Sequence, residues 1–553
     1  MKIIINLPKN ETMEMTVSRN TTVEEVLNKV KDRYKNPIYL SIVNNAYRAL
    51  THKLTHDSKI EFLDINNPAA WHTYQNSLVL VYLKAVHDVL GKNAKIIIHN
   101  SLNRGLYTTF EQDVDKKDIK AINKRMKEIV ALDLPIRKIH KSKDEALNLA
   151  KEYKYKEAEC LIRSLPNLKN VEIYNLEDET EIFYSELVPS TGYLKLFELH
   201  PYKKNSAILR YPHTSDPNAL SKYSDQKLLY NAFKEANEWA DLLHIQYVSE
   251  LNEMINNNKM NDIYHLQEAL HEKRISDIAD QITKSKKRIV LICGPSSSGK
   301  TTFANRLCIQ LRVNGIEPLY LGTDDYFKEA NEKAIDENGE IDYESINAVD
   351  TKLFISDLKS LLKGKLVDLP TFDFVNETKV YGKRKTRISS NQVIVIEGIH
   401  SLNKELTKGI DENEKFKIYL SPFTPINIDR YNRISTTDAR FLRRLVRDYK
   451  FRGRSAIDTI SAWPKVRAGE EVNIFPFHPE ANVFFNSNCI YELSVLKKYA
   501  EPLLKEVTRD HKEYAEAQRM LSFLRFFEAA NNDEDIVNNS IIKEFIGGST
   551  IVH

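Results

Sequence analysis

The stretch Lys287-Arg-Ile-Val-Leu-Ile-Cys-Gly-Pro-Ser-Ser-Ser-Gly-Lys-Thr-Thr302 joins a short apolar run, a glycine-bounded polar turn and the start of a helix-like segment. Ile289 to Cys293 are apolar and partly β-branched, which predicts a buried parallel strand, and Thr302 to Arg312 carries apolar residues at helical spacing. Between them stands G-x-x-x-x-G-K-T. Glycine at both ends lets the backbone turn so that successive N–H groups point inward, and the following helix adds its positive end, so an anion belongs in the loop. Gly294, Pro295, Ser296, Ser297, Ser298, Gly299, Lys300, Thr301 and Thr302 are candidate ATP-binding residues, with Lys300 directed to the β- and γ-phosphates and the Thr301 hydroxyl to Mg²⁺.

Downstream, Glu317 to Phe327 reads as an apolar strand ending in Asp324 and Asp325. Phosphoryl transfer to a hydroxyl needs a proton acceptor close to the metal at the end of a sheet strand, and Asp324 is the candidate. Val393-Ile-Val-Ile-Glu-Gly-Ile-His400 repeats the pattern and delivers Glu397 to the same edge, as a carboxylate for Mg²⁺. Arg440 to Arg454 places six arginines on one helix and the turn after it. Arg452 and Arg454 fall in a lid-like turn, where guanidinium groups stabilise charge developing on a transferring phosphoryl group.

At 553 residues the chain exceeds one core, and a prior of roughly 150 residues per domain predicts three or four. Lys and Arg number 80 against 77 Asp and Glu, a net charge of +3, which excludes a polybasic nucleic-acid binder and an acidic tail. Cys160, Cys293, Cys308 and Cys489 lack CxxC spacing, which argues against a zinc site or a disulfide scaffold and fits a reducing cytoplasm. Met1 to Pro8 does not read as a leader, and Lys84 interrupts the apolar run from Leu78, so no membrane span is expected.

Five ordered motifs resemble the uridine kinase and phosphoribulokinase family over about residues 286–500: the loop at Gly294, T-D-D-Y-F at Thr323, P-x-F-D-F-V at Pro370, I-E-G-I-H at Ile396, and R-R-L-V-R-D from Arg443 followed by R-G-R. The resemblance implies a parallel-sheet P-loop kinase domain using ATP and Mg²⁺. It assigns Asp324 as catalytic base, Lys300 to the phosphates, and Thr301, Asp324 and Glu397 to the metal. It sets Arg444 and Arg447 near the acceptor and the transferring group, Arg447 being catalytic, and Arg452 and Arg454 in the lid. The family's ribose-holding aspartate aligns with Glu344, whereas its base-reading tyrosine, histidine and glutamine align with Phe372, Glu377 and Ala462. Losing three polar groups removes the hydrogen bonds that single out uracil. The expected acceptor is a small molecule bearing ribose and a primary hydroxyl, with uridine the leading named candidate.

Residues 1–66 read as a strand at Lys2–Leu7, a second after the Lys9-Asn-Glu turn, a helix from Thr22 to Arg33 and further strands at Ile38–Val43 and Ile60–Ile65, and resemble the TGS module, a ubiquitin-like β-grasp domain. Residues 67–215 resemble the second, editing domain of threonyl-tRNA synthetase: a helix from His72 to Leu90, a helical stretch from Asp118 to Leu132, and Val188-Pro-Ser-Thr-Gly192. Where that family carries its histidine pair, cysteine and further histidine, this chain has Tyr74, Leu78, Phe183 and Leu187, which neither bind a metal nor move a proton. Residues 216–285 read as a helical connector broken at Asn256–Lys259, 286–510 as the kinase domain, and 511–553 as a helical extension with a loop at Asn531–Asp535. The module order resembles bacterial fusion proteins described as nucleoside or uridine kinases. The basic run Val380–Arg387 reads as a hairpin with solvated charges. Two rival readings stand beside the nucleoside kinase: an RNA- or ribosome-associated regulator with the P-loop as a switch, and a sugar-phosphate kinase. Self-association is left open.

Overall fold

The computed structural model describes residues 1–552 apart from 153–154, 166–167, 215, 330–331, 333, 336–338 and 340–341, so the expected domain boundary at 215 lies outside the described residues. At the front, β1 (Lys2–Asn6), β2 (Thr12–Thr16), α1 (Val23–Val30), β3 (Ile38–Val43), β4 (Ala46–Arg48) and β5 (Ser58–Asp64) form a sheet of order β2-β1-β5-β3-β4. β1 and β5 run parallel and the other pairs antiparallel. Thr22 and Glu25 close a capping box on α1, with Oγ1 of Thr22 accepting from the Glu25 amide at 3.2 Å and Glu25 accepting from the Thr22 amide at 2.7 Å. β4 was not anticipated. Its signal is Asn44-Asn45, whose φ values of 49° and 60° form the left-handed two-residue turn that hairpins favour.

The middle region opens with α2 (Pro68–Leu90), four residues earlier than expected, because Asn67 caps the Ala69 and Ala70 amides and Pro68 suits the first helical position. It continues through β6 (Ile96–Leu102), β7 (Gly105–Phe110), α3 (Lys116–Ala131), β8 (Arg137–Ser142), α4 (Lys143–Glu152), α5 (Lys156–Ser164), β9 (Asn170–Leu176), β10 (Glu179–Ile182), β11 (Glu198–Pro201) and β12 (Ser206–Arg210). The strands make two antiparallel sheets, β11-β12-β7-β6 and β10-β9-β8. Tyr74, Leu78, Phe183 and Leu187 all lie in one buried cluster, and the Tyr74 hydroxyl donates to the Leu196 carbonyl at 2.7 Å. Lys84 is buried but paired with Asp88 at 2.6 Å and Asp178 at 2.9 Å, which offsets its desolvation.

Three helices follow, α6 (Lys227–Leu242), α7 (Val248–Asn256) and α8 (Met260–Ser285). The rear then folds as β13 (Ile289–Cys293), α9 (Lys300–Val313), β14 (Pro318–Gly322), α10 (Thr351–Leu362), the hairpin β15 (Val367–Asp373) and β16 (Thr378–Thr386), β17 (Val393–Glu397), β18 (Lys415–Ser421), α11 (Thr436–Arg452), α12 (Ala456–Asn473), β19 (Val483–Asn486), α13 (Glu492–Lys505), α14 (Tyr514–Leu524) and α15 (Lys543–Ile546). Its sheet is wholly parallel in order β14-β17-β13-β18-β19. Ile275, Ile278 and Ile282 of α8 pack in one core with Phe303, Leu307 and Leu311 of α9, so the connector is a layer of the kinase rather than a spacer.

The expected helical extension at 511–553 is corrected: among the described residues only α14 and α15 are α-helical after α13. The polar run at Asn531–Asp535 and the left-handed pair Gly547-Gly548 break it, while Ile536, Ile541, Ile542 and Phe545 are buried in the kinase core. Front and rear interlock: Asn427 donates to the Ile98 carbonyl at 2.7 Å, the Ile98 amide donates to Arg430 at 3.0 Å, and Arg430 pairs with Glu111 and Glu157. Among the described residues no helix is long and apolar enough to cross a membrane. Truncating Leu78 to alanine, at 0% exposure, is expected to cost about 2–5 kcal/mol by leaving a cavity under α2, read as a loss of unfolding free energy in urea.

Candidate active site

All five residues of β13 are buried between β17 and β18, so Gly294 emerges at the carboxyl end of the central strand, between neighbours that lead to opposite halves of the sheet. A Cβ on Gly294 would lie 2.1 Å from the Leu420 carbonyl, so only glycine fits there. Gly299 has φ +86° and Ser297 +61°, which curl the loop into a concave turn. The hydroxyls of Ser297 and Ser298 are buried without partners, and the Lys300 and Thr301 amides open the first turn of α9 with no backbone acceptor. These orphaned donors around a cradle with no room for a Cβ fit a polyphosphate.

Glu397 ends β17 beside Gly322, the last residue of β14. The Thr301 hydroxyl lies 3.5 Å from its carboxylate, the Tyr320 hydroxyl donates to it at 3.2 Å, and Lys300 Nζ stands 4.0 Å away. Burial pushes Glu397 up to about 7 against the pull of Lys300, with Asp324 adding to the rise. Thr301 and Glu397 thus converge as a pair suited to an oxygen-loving cation. The backbone ends of β14 and β17 meet so closely that a Cβ on Gly398 would sit 1.8 Å from the Thr323 hydroxyl oxygen.

Asp324 and Asp325 have different fates. Asp325 pairs with Arg384 at 2.6 Å and accepts from the Phe372 amide, so it anchors the β15–β16 hairpin. Asp324 keeps its carboxylate open to the cleft. Protein crowds round it without closing over it: the loss of surrounding water raises its affinity for a proton, Lys300 lowers it, Asp325 raises it and Arg452 lowers it. Its accessible surface is what decides whether a substrate can reach it, and that surface is present.

The arginines of α11 divide into two sets. Arg440 and Arg443, both buried, hold the loop: Arg440 donates to the Ser296 carbonyl at 3.0 Å and is forked onto Glu470, which also accepts from the Ser296 amide at 3.1 Å. Arg443 donates to the Ser487 carbonyl at 2.8 Å and pairs with Glu492. The expectation from sequence had given these two no role. The second set surrounds the buried Asp448, which pairs with Arg447 at 2.8 Å, Arg444 at 3.2 Å and Arg452 at 3.5 Å. Arg444 also donates to the Ser296 hydroxyl at 2.9 Å. Arg452 is half exposed, and Arg454 stands in solvent beyond Gly453, whose φ of +61° ends the helix.

Glu344 rests against α12, where a Cβ on Gly469 would meet its side chain at 2.5 Å. Burial and the neighbouring Glu470 push Glu344 up to about 7, partly countered by Arg444 and Lys300. Phe372 packs edge-on against Phe327 at 5.9 Å and Phe374 at 5.1 Å, and Tyr343, itself against Phe327, donates to Glu377 at 3.1 Å. Ala462 lies on α12, half-buried, and offers no polar atom beyond its backbone.

The C-terminal segment adds a contact that sequence reading missed. Glu544 accepts from the Thr302 amide at 3.2 Å and from its hydroxyl at 2.6 Å. Ile541 covers Gly299, whose added Cβ would meet it at 2.5 Å, and Phe545 lies under the Arg443 guanidinium at 5.0 Å. A carboxylate thereby holds two donors of the phosphate cradle. Elsewhere Glu268, His271 and Cys489 cluster, but Glu268 is held by Arg306 at 3.1 Å and by Ser540, and His271 by Gln267 and the Asn488 carbonyl.

Because a phosphate chain must compete with Glu544 for Thr302, Glu544→Ala is expected to tighten MgATP binding by roughly ten-fold, the scale of one hydrogen bond to a charged group; titration calorimetry reads the change, and weaker binding would mean that Glu544 supports the loop. The raised Glu344 makes its neutral form the one the fold prefers. Its contribution is whole below the unfolded value of 4.5 and is lost as pH rises through about 7. Glu344→Gln is therefore expected to gain thermal stability over the parent at about pH 8 and to show little gain at about pH 4.5.

Residues 289–489 match the Phosphoribulokinase / Uridine kinase family. The chain is 32% identical over 219 residues to the uridine kinase of Staphylococcus haemolyticus (strain JCSC1435), covering 39% of this chain and 87% of that protein. It is 30% identical over 218 residues to the uridine kinase of Staphylococcus aureus (strain JH9), again 39% and 87%, and 29% identical over 178 residues to that of Leuconostoc citreum (strain KM20), 32% and 76%. With the phosphate cradle, the two strand-end carboxylates and the arginine helix assembled on one parallel sheet, the chain belongs to the phosphoribulokinase and uridine kinase family of phosphotransferases.

Proposed function

We propose that this protein transfers the γ-phosphoryl group of ATP to a primary hydroxyl of a small ribose-bearing molecule, with a nucleoside as the leading acceptor. The observation that carries the reading is the separation of the two aspartates: Asp325 is neutralised by Arg384, while Asp324 stands open in the turn just past β14, beside the end of β17 that holds Glu397 and within the field of Lys300. An alcohol entering the cleft would find a carboxylate that, among the described residues, carries no ion pair and only a long 3.5 Å hydrogen bond from the Thr323 hydroxyl, and so could take its proton. Its oxygen would then bond to the γ-phosphorus as the bond to the β-bridging oxygen breaks, and the proton would pass to Asp324.

Thr301 and Glu397 are the residues that would hold Mg²⁺, whose charge offsets that of the phosphates. Lys300 sits where it can follow the β- and γ-oxygens, and Arg444, Arg447 and Arg452, gathered on Asp448, can face the transferring group while Arg454 helps to exclude water. Glu344 is assigned to the sugar hydroxyls. Phe372 and Ala462 offer the base no side-chain polar atoms, and Glu377 is engaged by Tyr343, which supports loose discrimination among bases. At the front, the β2-β1-β5-β3-β4 order supports the β-grasp reading, and the packing of Tyr74, Leu78, Phe183 and Leu187 supports an editing-like domain without hydrolytic chemistry.

Asp324→Asn is expected to lower kcat by about 10²–10⁴-fold with MgATP affinity retained, and unchanged turnover would remove the base from Asp324. A coupled ADP-release assay over nucleosides, pentose phosphates and simple polyols is expected to favour ribonucleosides, with purine and pyrimidine rates within roughly ten-fold; preference for an acceptor without ribose would overturn the assignment.

A further inference from the structure

A cavity of about 420 Å³ opens where the front half meets the kinase. Its walls come from the β3–β4 hairpin, α2, the segment after β10, the loop leading into α11, and α14 with the turn before it. Arg48, Arg433, Arg509 and Arg525 line it, and among the described residues none of the four has a carboxylate partner. Arg48 donates only to the Tyr47 carbonyl and Arg509 to that of Asn44, Arg525 lies over the Phe526 ring at 4.9 Å, and the Nε of Arg433 is buried without an acceptor. Burial pulls Arg433 below the usual guanidinium range despite nearby Asp438.

The acids of the cavity are already neutralised. Asp438 is bound by Arg519 at 2.7 Å, and Glu172 and Glu186 share Lys138 at 3.0 and 3.1 Å. What remains is an excess of guanidinium groups beside the partly exposed rings of Tyr184 and Phe523, with the buried Phe526 backing Tyr184 at 4.0 Å between ring centres. Guanidinium forks match phosphate oxygens and ring faces match a planar base. The volume suits a molecule carrying both.

We propose that this cavity is a second nucleotide site, binding a nucleoside di- or triphosphate apart from the phosphate loop. It has a direct route to the catalytic centre. Ser435 and Asp438, at the start of α11, belong to the cavity wall, and within the next turn and a half the same helix presents Arg440 and Arg443 to the loop residues Ser296 and Ser297. A ligand that drew Arg433 or Ser435 toward itself would act on a rigid element whose other contacts shape the phosphate cradle. The single strand of an RNA offers the same phosphates and bases, but the net charge of +3 and the recessed cavity favour a free nucleotide over a long backbone track.

Equilibrium dialysis of the full-length protein with labelled ATP, GTP, CTP and UTP tests this. Two sites per chain are expected for at least one of the four. Lys300→Ala should weaken the phosphate-loop site and leave the other, while Arg525→Glu and Arg433→Gln should each weaken that other site by ten-fold or more and leave the first. Arg525 is exposed at the cavity mouth, so its variant should keep the parental melting temperature. The proposal falls if the parent binds one equivalent that Lys300→Ala abolishes, if both arginine variants keep full second-site affinity, or if a single-stranded RNA oligonucleotide binds there and no free nucleotide does. Because the readout is binding, a wrong acceptor assignment leaves it intact.

Discussion

The kinase half depends on one buried carboxylate. Glu470, fully enclosed, holds Arg440 in a two-point fork, pairs with Arg467 at 2.5 Å, and accepts the amide of Ser296 from the phosphate loop. Removing either partner of such an enclosed pair strands a charge, at a typical cost of about 3–5 kcal/mol. A second pair, Arg443 with Glu492, repeats the arrangement next to Ser297 and Ser487. A loop that must present unsatisfied N–H groups to an incoming anion cannot also satisfy them internally, so its shape is held from outside, by the helix beneath it.

Much of this site was readable from the chain because its key parts are local. A strand, a glycine-bounded turn and a helix follow one another without interruption, and each carboxylate sits at the end of an apolar run whose length sets where the strand stops. Asp324 was singled out by its motif, but the pairing that occupies Asp325 was not readable, since it depends on Arg384 reaching back 59 positions. Neither was Glu544, which lies 242 positions beyond Thr302 in a segment whose helical spacing is overridden by polar and glycine breaks. The arginine run illustrates the same limit: its composition was evident, but which residues clamp the loop and which gather on Asp448 depends on the placement of Glu470, Glu492 and Asp448.

The front half is bound to the rear by specific polar contacts rather than by a loose tether. Asn427 and Arg430 stitch the loop before α11 to β6 and its surroundings, and Asn45 of the first sheet donates to the Arg509 carbonyl at 3.0 Å. Tyr74, Leu78, Phe183 and Leu187 are packing residues of one buried cluster, so at these positions the region supplies shape. What it now contributes is a wall: it completes a recess that neither half encloses alone.

The burial of Ile541, Ile542 and Phe545 against the sheet sets a schedule for biosynthesis. From Cys293 to Ile546 a ribosome adding 5–20 residues per second needs roughly 10–50 s, and until then the rear core lacks part of its filling. The three leading sheets and their helices emerge earlier and can fold first, so a finished front half stands ready while the kinase strands wait for the last segment to arrive.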